Sequence, residues 1–302
     1  MLRPDCSIGI DLGGSKIEAA ALDGSGSIIF RKRRPTPEQD YVATLEAIVE
    51  LVGAAEAALG APAPVGIGIP GAISPATGLV KNANSTWLNG RAFDRDIAER
   101  LGREVRVAND ANCFAVSEAA DGAAAGLSLV FGVILGTGVG GGIAIEGRVL
   151  TGADAIAGEW GHTPLPSPAD DERPGPACWC GRRGCLETWV SGPALARDHE
   201  GATGRRWDAA RIAAAADAGD TSAEAALARY EDRLARGLSV VIDILDPAAI
   251  VLGGGLSNLR RLYRTIPPLL QPLIFSDRLA AKLLAPMHGD SSGVRGAAWL
   301  WA

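Results

Sequence analysis

The chain has 302 residues, 47% hydrophobic and 21% charged, enough apolar material for one large or two medium cores, and this balance excludes a disordered chain. A formal net charge of −6 supplies no basic field, which argues against nucleic acid or an anionic membrane surface as partner. No secretory leader pattern precedes Asp11 and no apolar run has the length that crosses a bilayer, so a cytoplasmic location without membrane contact is expected.

Residues 7–11 read as a short buried strand, followed by Gly13, Gly14, Ser15 and Lys16 and by a β-rich run over 17–22. Strand, glycine turn and return strand differ from the Walker phosphate loop, whose glycines lead into a helix and whose spacing is missing here. A third strand over 27–33 completes a meander, and Arg31 to Arg34 read as its solvated end. Pro35 and Pro37 break it, and residues 38–59 carry helical periodicity. A strand over 65–69 ends at Pro70 and Gly71 and leads into a polar loop through Asn82, Asn84, Ser85, Thr86, Trp87 and Asn89, a length and composition that suit function. A helix over 93–101, a strand over 105–108, Asn109 and Asp110, and a helix over 111–120 follow.

A second strand series opens at 127–135, where Gly136, Thr137, Gly138, Gly140, Gly141 and Gly142 read as the turn into a strand over 143–146. The strand, glycine turn and strand seen at Asp11 are thus repeated, which predicts two similar domains. Their expected extents are 1–118 and 119–289. Helices are expected over 192–200, 208–217 and 222–245, then a strand over 249–252 closed by Gly253, Gly254 and Gly255 before another helix. Residues 290–302 carry Trp299 and Trp301, aromatics that need a surface, so this segment is expected to return to the first domain.

Between these elements His162, Cys178, Cys180 and Cys185 follow the spacing His-x15-Cys-x-Cys-x4-Cys. Thiolates and one imidazole are the ligand set of a closed, tetrahedral, structural zinc site. Gly181 and Gly184 lie where the backbone must turn tightly to bring the sulfurs to one ion. A disulfide between Cys178 and Cys180 would be strained. Cys6 and Cys113 are left over and read as buried thiols. Glu159 and Glu187 flank the ligands; singly each reads as a solvated acid, but a metal orders the loop that carries them.

The three glycine turns, at Gly13, Gly138 and Gly254, allow backbone amides to approach an anion, and with Asp11 and Lys16 beside the first they suit a nucleotide triphosphate. Asp11 would then hold magnesium, through water. Ser15 and Thr137 offer hydroxyls to phosphate, while Lys16 is equally a surface charge or a phosphate partner. Asp110, at a strand's carboxyl end, suits a general base for a substrate hydroxyl, though an Asp there is equally a favoured helix cap. Asn84 and Asn109 offer amides to a polyhydroxylated ligand.

GIDLGGSK, GIPG at Gly68, NDAN at Asn109, GTGVGGG at Gly136, and GEWGH followed by CWCGRRGCLE together resemble the ROK family of bacterial sugar kinases along the whole chain. KNANSTWLNG, VANDANCFAVSEA, CWCGRRGCLETWVSG and HGDSSGVRGAAWLW most resemble its fructokinases of the mannofructokinase type. The resemblance implies an actin-like, ribonuclease-H-like α/β fold of two domains with a central cleft and a zinc-bound loop. It also implies ATP-dependent phosphorylation of a hexose, D-fructose at its 6-hydroxyl, with mannose, glucose or N-acetylglucosamine as the alternatives.

By the same resemblance Asp110 is the base, and Gly71, Asn84, Asn109, Glu159, His162 and Glu187 contact sugar. Gly9, Asp11, Gly13, Gly14, Ser15, Lys16, Gly136, Thr137, Gly138, Gly140, Gly254 and Gly255 serve ATP and magnesium. His162 would serve both zinc and sugar. Ser15 stands where the family usually has Thr, and Pro176 where a glycine is common. A homodimer is also implied. The family's repressors, and a noncatalytic sugar sensor, are the rivals; the position of Asp11 in the first strand leaves no room before it for a DNA-binding module.

Overall fold

β1 (Cys6–Leu12) and β2 (Lys16–Asp23) form a hairpin that Gly13 closes by donating to the Lys16 carbonyl at 3.0 Å. β3 (Ile28–Pro35) adds to β2 as an edge strand whose charged residues keep it from pairing further. In the computed structural model, which describes residues 5–302, these strands belong to a unit made of Met1–Ser128, Gly142–Ala157 and Met287–Ala302. A second unit comprises Leu129–Gly141 and Gly158–Pro286.

In the first unit α1 (Tyr41–Leu59) starts where Asp40 accepts from the Ala43 amide at 3.0 Å, and it ends at Gly60 in the left-handed conformation. This cap sets the start at 41, later than the periodicity alone suggests. β4 (Val65–Ile69) is buried throughout, as expected of a parallel strand covered on both faces. After the short pair β5 (Ala72–Ile73) and β6 (Val80–Lys81) come α2 (Phe93–Leu101), β7 (Val105–Asn109) and α3 (Asp110–Ala120). The sheet order is β3-β2-β1-β4-β7, antiparallel through β1 and parallel from β1 to β7.

The second strand series is β8 (Leu129–Leu135), β9 (Val139–Ile145) and β10 (Arg148–Val149). It is followed by α4 (Glu187–Val190), α5 (Gly192–Thr203), α6 (Ala209–Asp217), α7 (Thr221–Leu245), β11 (Ala249–Gly253), α8 (Leu262–Leu270) and β12 (Lys282–Leu284). The order β10-β9-β8-β11-β12 repeats the plan of the first sheet, with β8, β11 and β12 parallel. A strand, glycine turn and strand therefore recur in equivalent places.

α9 (Ser292–Trp299) lies in the first unit, and glycines let it approach backbone directly. A Cβ on Gly9 would sit 1.9 Å from the Val294 carbonyl oxygen, one on Gly66 1.9 Å from that of Ala297, and one on Gly296 1.7 Å from that of Cys113. Trp299 is buried and donates to Asp121 at 3.1 Å, and Trp301 donates to the Val65 carbonyl at 2.8 Å.

The structure also departs from the sequence reading at two of the glycine turns. Gly140, Gly141 and Gly142 are strand, not turn: β9 begins at Val139, and a Cβ on Gly141 would lie 2.5 Å from the Gly158 carbonyl oxygen. Gly253 ends β11, and a single 3₁₀ turn, Gly255–Asn258, precedes α8.

Candidate active site and metal centre

The stretch from Gly158 to Cys185 has little regular structure, so its position rests on anchors. Trp160 is one: buried, packed edge-on to Phe131 with centroids 5.9 Å apart, it donates its indole N–H to the Gly140 carbonyl at 2.9 Å. Gly161 is another, because a Cβ there would lie 2.2 Å from the Val139 carbonyl oxygen. Trp160–His162 is a 3₁₀ turn, and it puts the His162 ring beside the cysteines. Farther along, buried Glu172 accepts from Arg233 at 2.8 Å and Arg236 at 2.9 Å, both on α7. Burial opposes its ionisation, but these guanidiniums outweigh burial and bring the carboxyl down to about 2.

His162, Cys178, Cys180 and Cys185 present donor atoms that all lie within 4.8 Å of one another. Cys178 Sγ is 3.6 Å from His162 Nδ1, and Cys180 Sγ is 3.7 Å from Cys185 Sγ. A zinc tetrahedron with ordinary ligand distances has edges of about 3.5 to 3.8 Å, so the residues fit the ion. Gly181 at φ +88° and Gly184 at φ +70° make the turns between the second and third thiols. The Pro176 carbonyl accepts from the Gly184 amide at 2.9 Å. Burial pushes the Cys178 thiol up and that of Cys185 to about 12, whereas the Arg182 side chain holds Cys180 down at about 6. All five cysteines are free thiols, Cys113 buried and Cys6 partly so.

Glu187, at the start of α4, is held at both carboxylate oxygens. Oε2 accepts from the Val139 amide at 3.0 Å, and Oε1 accepts from the Trp179 indole at 2.7 Å. Gly138 makes room, since a Cβ there would be 2.8 Å from Oε2. The Trp179 ring stands edge-on to His162, centroids 4.9 Å apart at 84°. Glu159 is exposed and opens the turn that carries His162. The second unit thus assembles His162, Trp179 and Glu187 in one contact cluster, with Glu159 on the adjoining turn. Sequence reading assigned no role to Trp179; its place between two metal donors was the available signal.

Two of the glycine turns also meet in this unit. β8 and β11 run parallel with Gly253 opposite Ile134, so Gly136, Thr137 and Gly138 leave the same sheet end as Gly254 and Gly255. Gly254 has φ +78° and a Cβ there would be 2.5 Å from the Leu135 carbonyl oxygen. Gly136 is engaged on both sides, donating to the Gly138 carbonyl at 3.0 Å and accepting from the Gly192 amide at 2.8 Å.

In the first unit Asn109, not Asp110, caps α3: its Oδ1 accepts from the Ala111 amide at 2.9 Å, and its Nδ2 donates to the Gly71 carbonyl at 2.9 Å. Asp110 is the exposed first residue of the helix, with Oδ1 2.8 Å from the same amide. Gly71 has φ +73° and a Cβ would lie 2.3 Å from the Lys81 carbonyl oxygen. Asn84 is exposed in a loop that Asn89 braces with two 2.9 Å bonds to the Ala83 backbone. Gly14 and Ser15 are exposed at the hairpin tip and Lys16 is half-buried. Gly9 lies mid-strand beneath α9, away from that tip.

Asp11 is the electrostatic centre of this unit. Burial first, then the charges of Asp110 and Glu18, push its carboxyl from 3.8 up to about 6, against smaller opposing pulls from Lys16 and Arg33. No side chain among the described residues hydrogen-bonds it. Glu18, its cross-strand partner, is instead tied to Arg31 at 2.5 Å and Arg33 at 2.6 Å. A carboxylate that is costly to ionise and lacks a donor fits a position beside a divalent cation.

A family model described as ROK family matches residues 7–302. The chain belongs to the ROK family. An N-acetyl-D-glucosamine kinase of Pectobacterium atrosepticum is 38% identical over 296 residues, covering 97% of both chains. A ROK hexokinase from Thermus thermophilus superposes with a TM-score of 0.86 at 31% identity, covering 98% of this chain and 97% of that one. A ROK glucokinase from Streptomyces griseus, solved with glucose and AMPPNP, superposes with a TM-score of 0.77 at 29% identity, covering 98% of this chain and 99% of that one. The fold of this ROK protein is accordingly the actin-like α/β fold of the family's sugar kinases. The narrower fructokinase likeness finds no counterpart in these relatives.

The metal cluster gives a direct test on purified protein. About one zinc per chain is expected by elemental analysis, and Cys185→Ser should lose it and lower the thermal midpoint by at least about 5 °C. A zinc-free wild type, or a serine variant as heat-stable as wild type, would dismiss the structural metal.

Proposed function

We propose that this ROK protein is an ATP-dependent hexose kinase that transfers the γ-phosphoryl group to the 6-hydroxyl of its sugar, with N-acetyl-D-glucosamine as preferred substrate and D-fructose as the second candidate. The observation that carries the sugar preference is the whole-length match to an N-acetyl-D-glucosamine kinase. It favours the alternative hexose over the fructose that the sequence motifs suggested.

In this reading Asp110 accepts the proton of the sugar hydroxyl as that oxygen attacks phosphorus. Its exposed place at the start of α3 suits the role, and Asn109 carries the helix cap in its stead. Gly71 and the Asn89-braced loop present Asn84 and Asn109, while Glu159, His162 and Glu187 supply the other sugar contacts. With Nδ1 turned to the thiols, His162 keeps Nε2 for a sugar hydroxyl. Gly13, Gly14, Ser15, Lys16, Gly136, Thr137, Gly138, Gly140, Gly254 and Gly255 would serve the nucleotide. Asp11 would hold magnesium through water, and the ion when bound supplies charge neutralisation for the transferred phosphoryl group.

An ADP-release assay across N-acetylglucosamine, fructose, mannose and glucose is expected to give the highest kcat/KM for N-acetylglucosamine. A clear lead for another hexose would overturn the sugar assignment, and no release with any of them would overturn the kinase. Asp110→Asn is expected to keep fold and sugar binding and to lose about 100- to 10,000-fold in kcat. Turnover within a few-fold of wild type would remove Asp110 from the mechanism.

Asp11 has a pH signature. Unfolded, it ionises near 3.8; folded, near 6, so between those values the folded chain holds the extra proton and loses stability as pH rises. In magnesium-free buffer Asp11→Asn should therefore melt higher than wild type at pH 7.5, and the gain should shrink towards pH 4. An equal shift at both pH values would contradict a strained carboxylate.

A further inference from the structure

Trp179 occupies a position that the sugar-site assignment leaves unused. It sits between the metal donors Cys178 and Cys180, so its backbone is tied on both sides. Its indole N–H donates to Glu187 Oε1 at 2.7 Å, and its ring stands edge-on to His162. Despite these two attachments the side chain is 67% exposed, the most open tryptophan among the large exposed hydrophobics of the described residues. A large apolar ring pinned in place yet left in water can serve a ligand, which gains area burial on covering it without ordering the side chain.

The bond to Glu187 adds a second role. With Oε2 held by the Val139 amide and Oε1 by Trp179, the carboxylate plane is set, and each oxygen retains a lone pair for a hydroxyl. Removing the indole would leave the carboxylate attached at one oxygen and free to pivot about it. The metal loop would then still be in place, but its acid would be misaimed.

We propose that Trp179 is a positioning residue of the hexose site: its indole N–H orients Glu187 to accept from a sugar hydroxyl, and its exposed ring packs against the apolar C–H face of the sugar. This rests on the proposed assignment of Glu187 and His162 to sugar binding.

The test compares zinc-replete wild type, Trp179→Phe and Trp179→Ala, with metal content verified for each. Hexose affinity is measured by calorimetry over the four sugars, alongside sugar KM, ATP KM and kcat. Trp179→Ala should weaken sugar binding by more than about tenfold, and Trp179→Phe, which keeps a ring but loses the donor, by about three- to tenfold. ATP KM should stay within about twofold of wild type. In a Glu187→Ala background Trp179→Phe should add less than about twofold, since the residue it orients is gone. Unchanged sugar affinity in zinc-replete Trp179→Ala would overturn the proposal, and so would a parallel rise in ATP KM, which marks a merely structural residue. If wild type binds a hexose but releases no ADP, the kinase reading falls while the calorimetric comparison still decides the role of Trp179. If wild type binds none of the sugars, both fall.

Discussion

The geometry of the second unit depends on four donor atoms gathered within 4.8 Å of one another. The chain that carries them has few ladder hydrogen bonds to offset its conformational entropy, and a structural metal can contribute about 10 kcal/mol or more to such a loop. Buried Glu172 clamps the same loop from outside through Arg233 and Arg236. What the ordered loop carries is chemically useful: an imidazole with one nitrogen turned to the thiols, and a carboxylate aimed by a backbone amide and an indole.

Close approach of backbone to backbone is the second organising constraint. α9 meets β1 and β4 over Gly9 and Gly66, the turn at Trp160 meets β9 over Gly141 and Gly161, and β11 meets β8 at Gly254. At each place a methyl group would fall within 2.5 Å of a carbonyl oxygen, well inside contact distance. Glycines of one chain thus divide into those that make a turn and those that let elements touch. The two kinds look alike as letters.

Much of the architecture was legible before any coordinates. The duplicated strand, glycine turn and strand recurs as two sheets of one order, because a hairpin is a local event with a local sequence signal. Asp40 and Asp208 lie inside the helical runs read from periodicity, and the structure makes them, with Asp220, the caps that set the helix starts. The gathering of His162 with Cys178, Cys180 and Cys185 was legible from spacing, since zinc demands a particular donor chemistry and the chain holds few other thiols. Asp110 was ambiguous between cap and base; the structure gives the cap to Asn109, one residue earlier, where pattern alone had no means to choose.

Sequence by itself determined the repeat, the spacing of the His and Cys donors and the polar groups available for chemistry, through local pattern and residue type, and its resemblance to a family supplied the fold class. Tertiary structure alone decided which glycines are contacts, that Gly140 to Gly142 continue a strand, and that Trp179 bonds Glu187. It also decided that Asp11 sits half-buried without a side-chain donor while Glu18 takes the arginines. These outcomes depend on partners distant in the chain, and distance in sequence hides both the steric closeness and the desolvation that produce them.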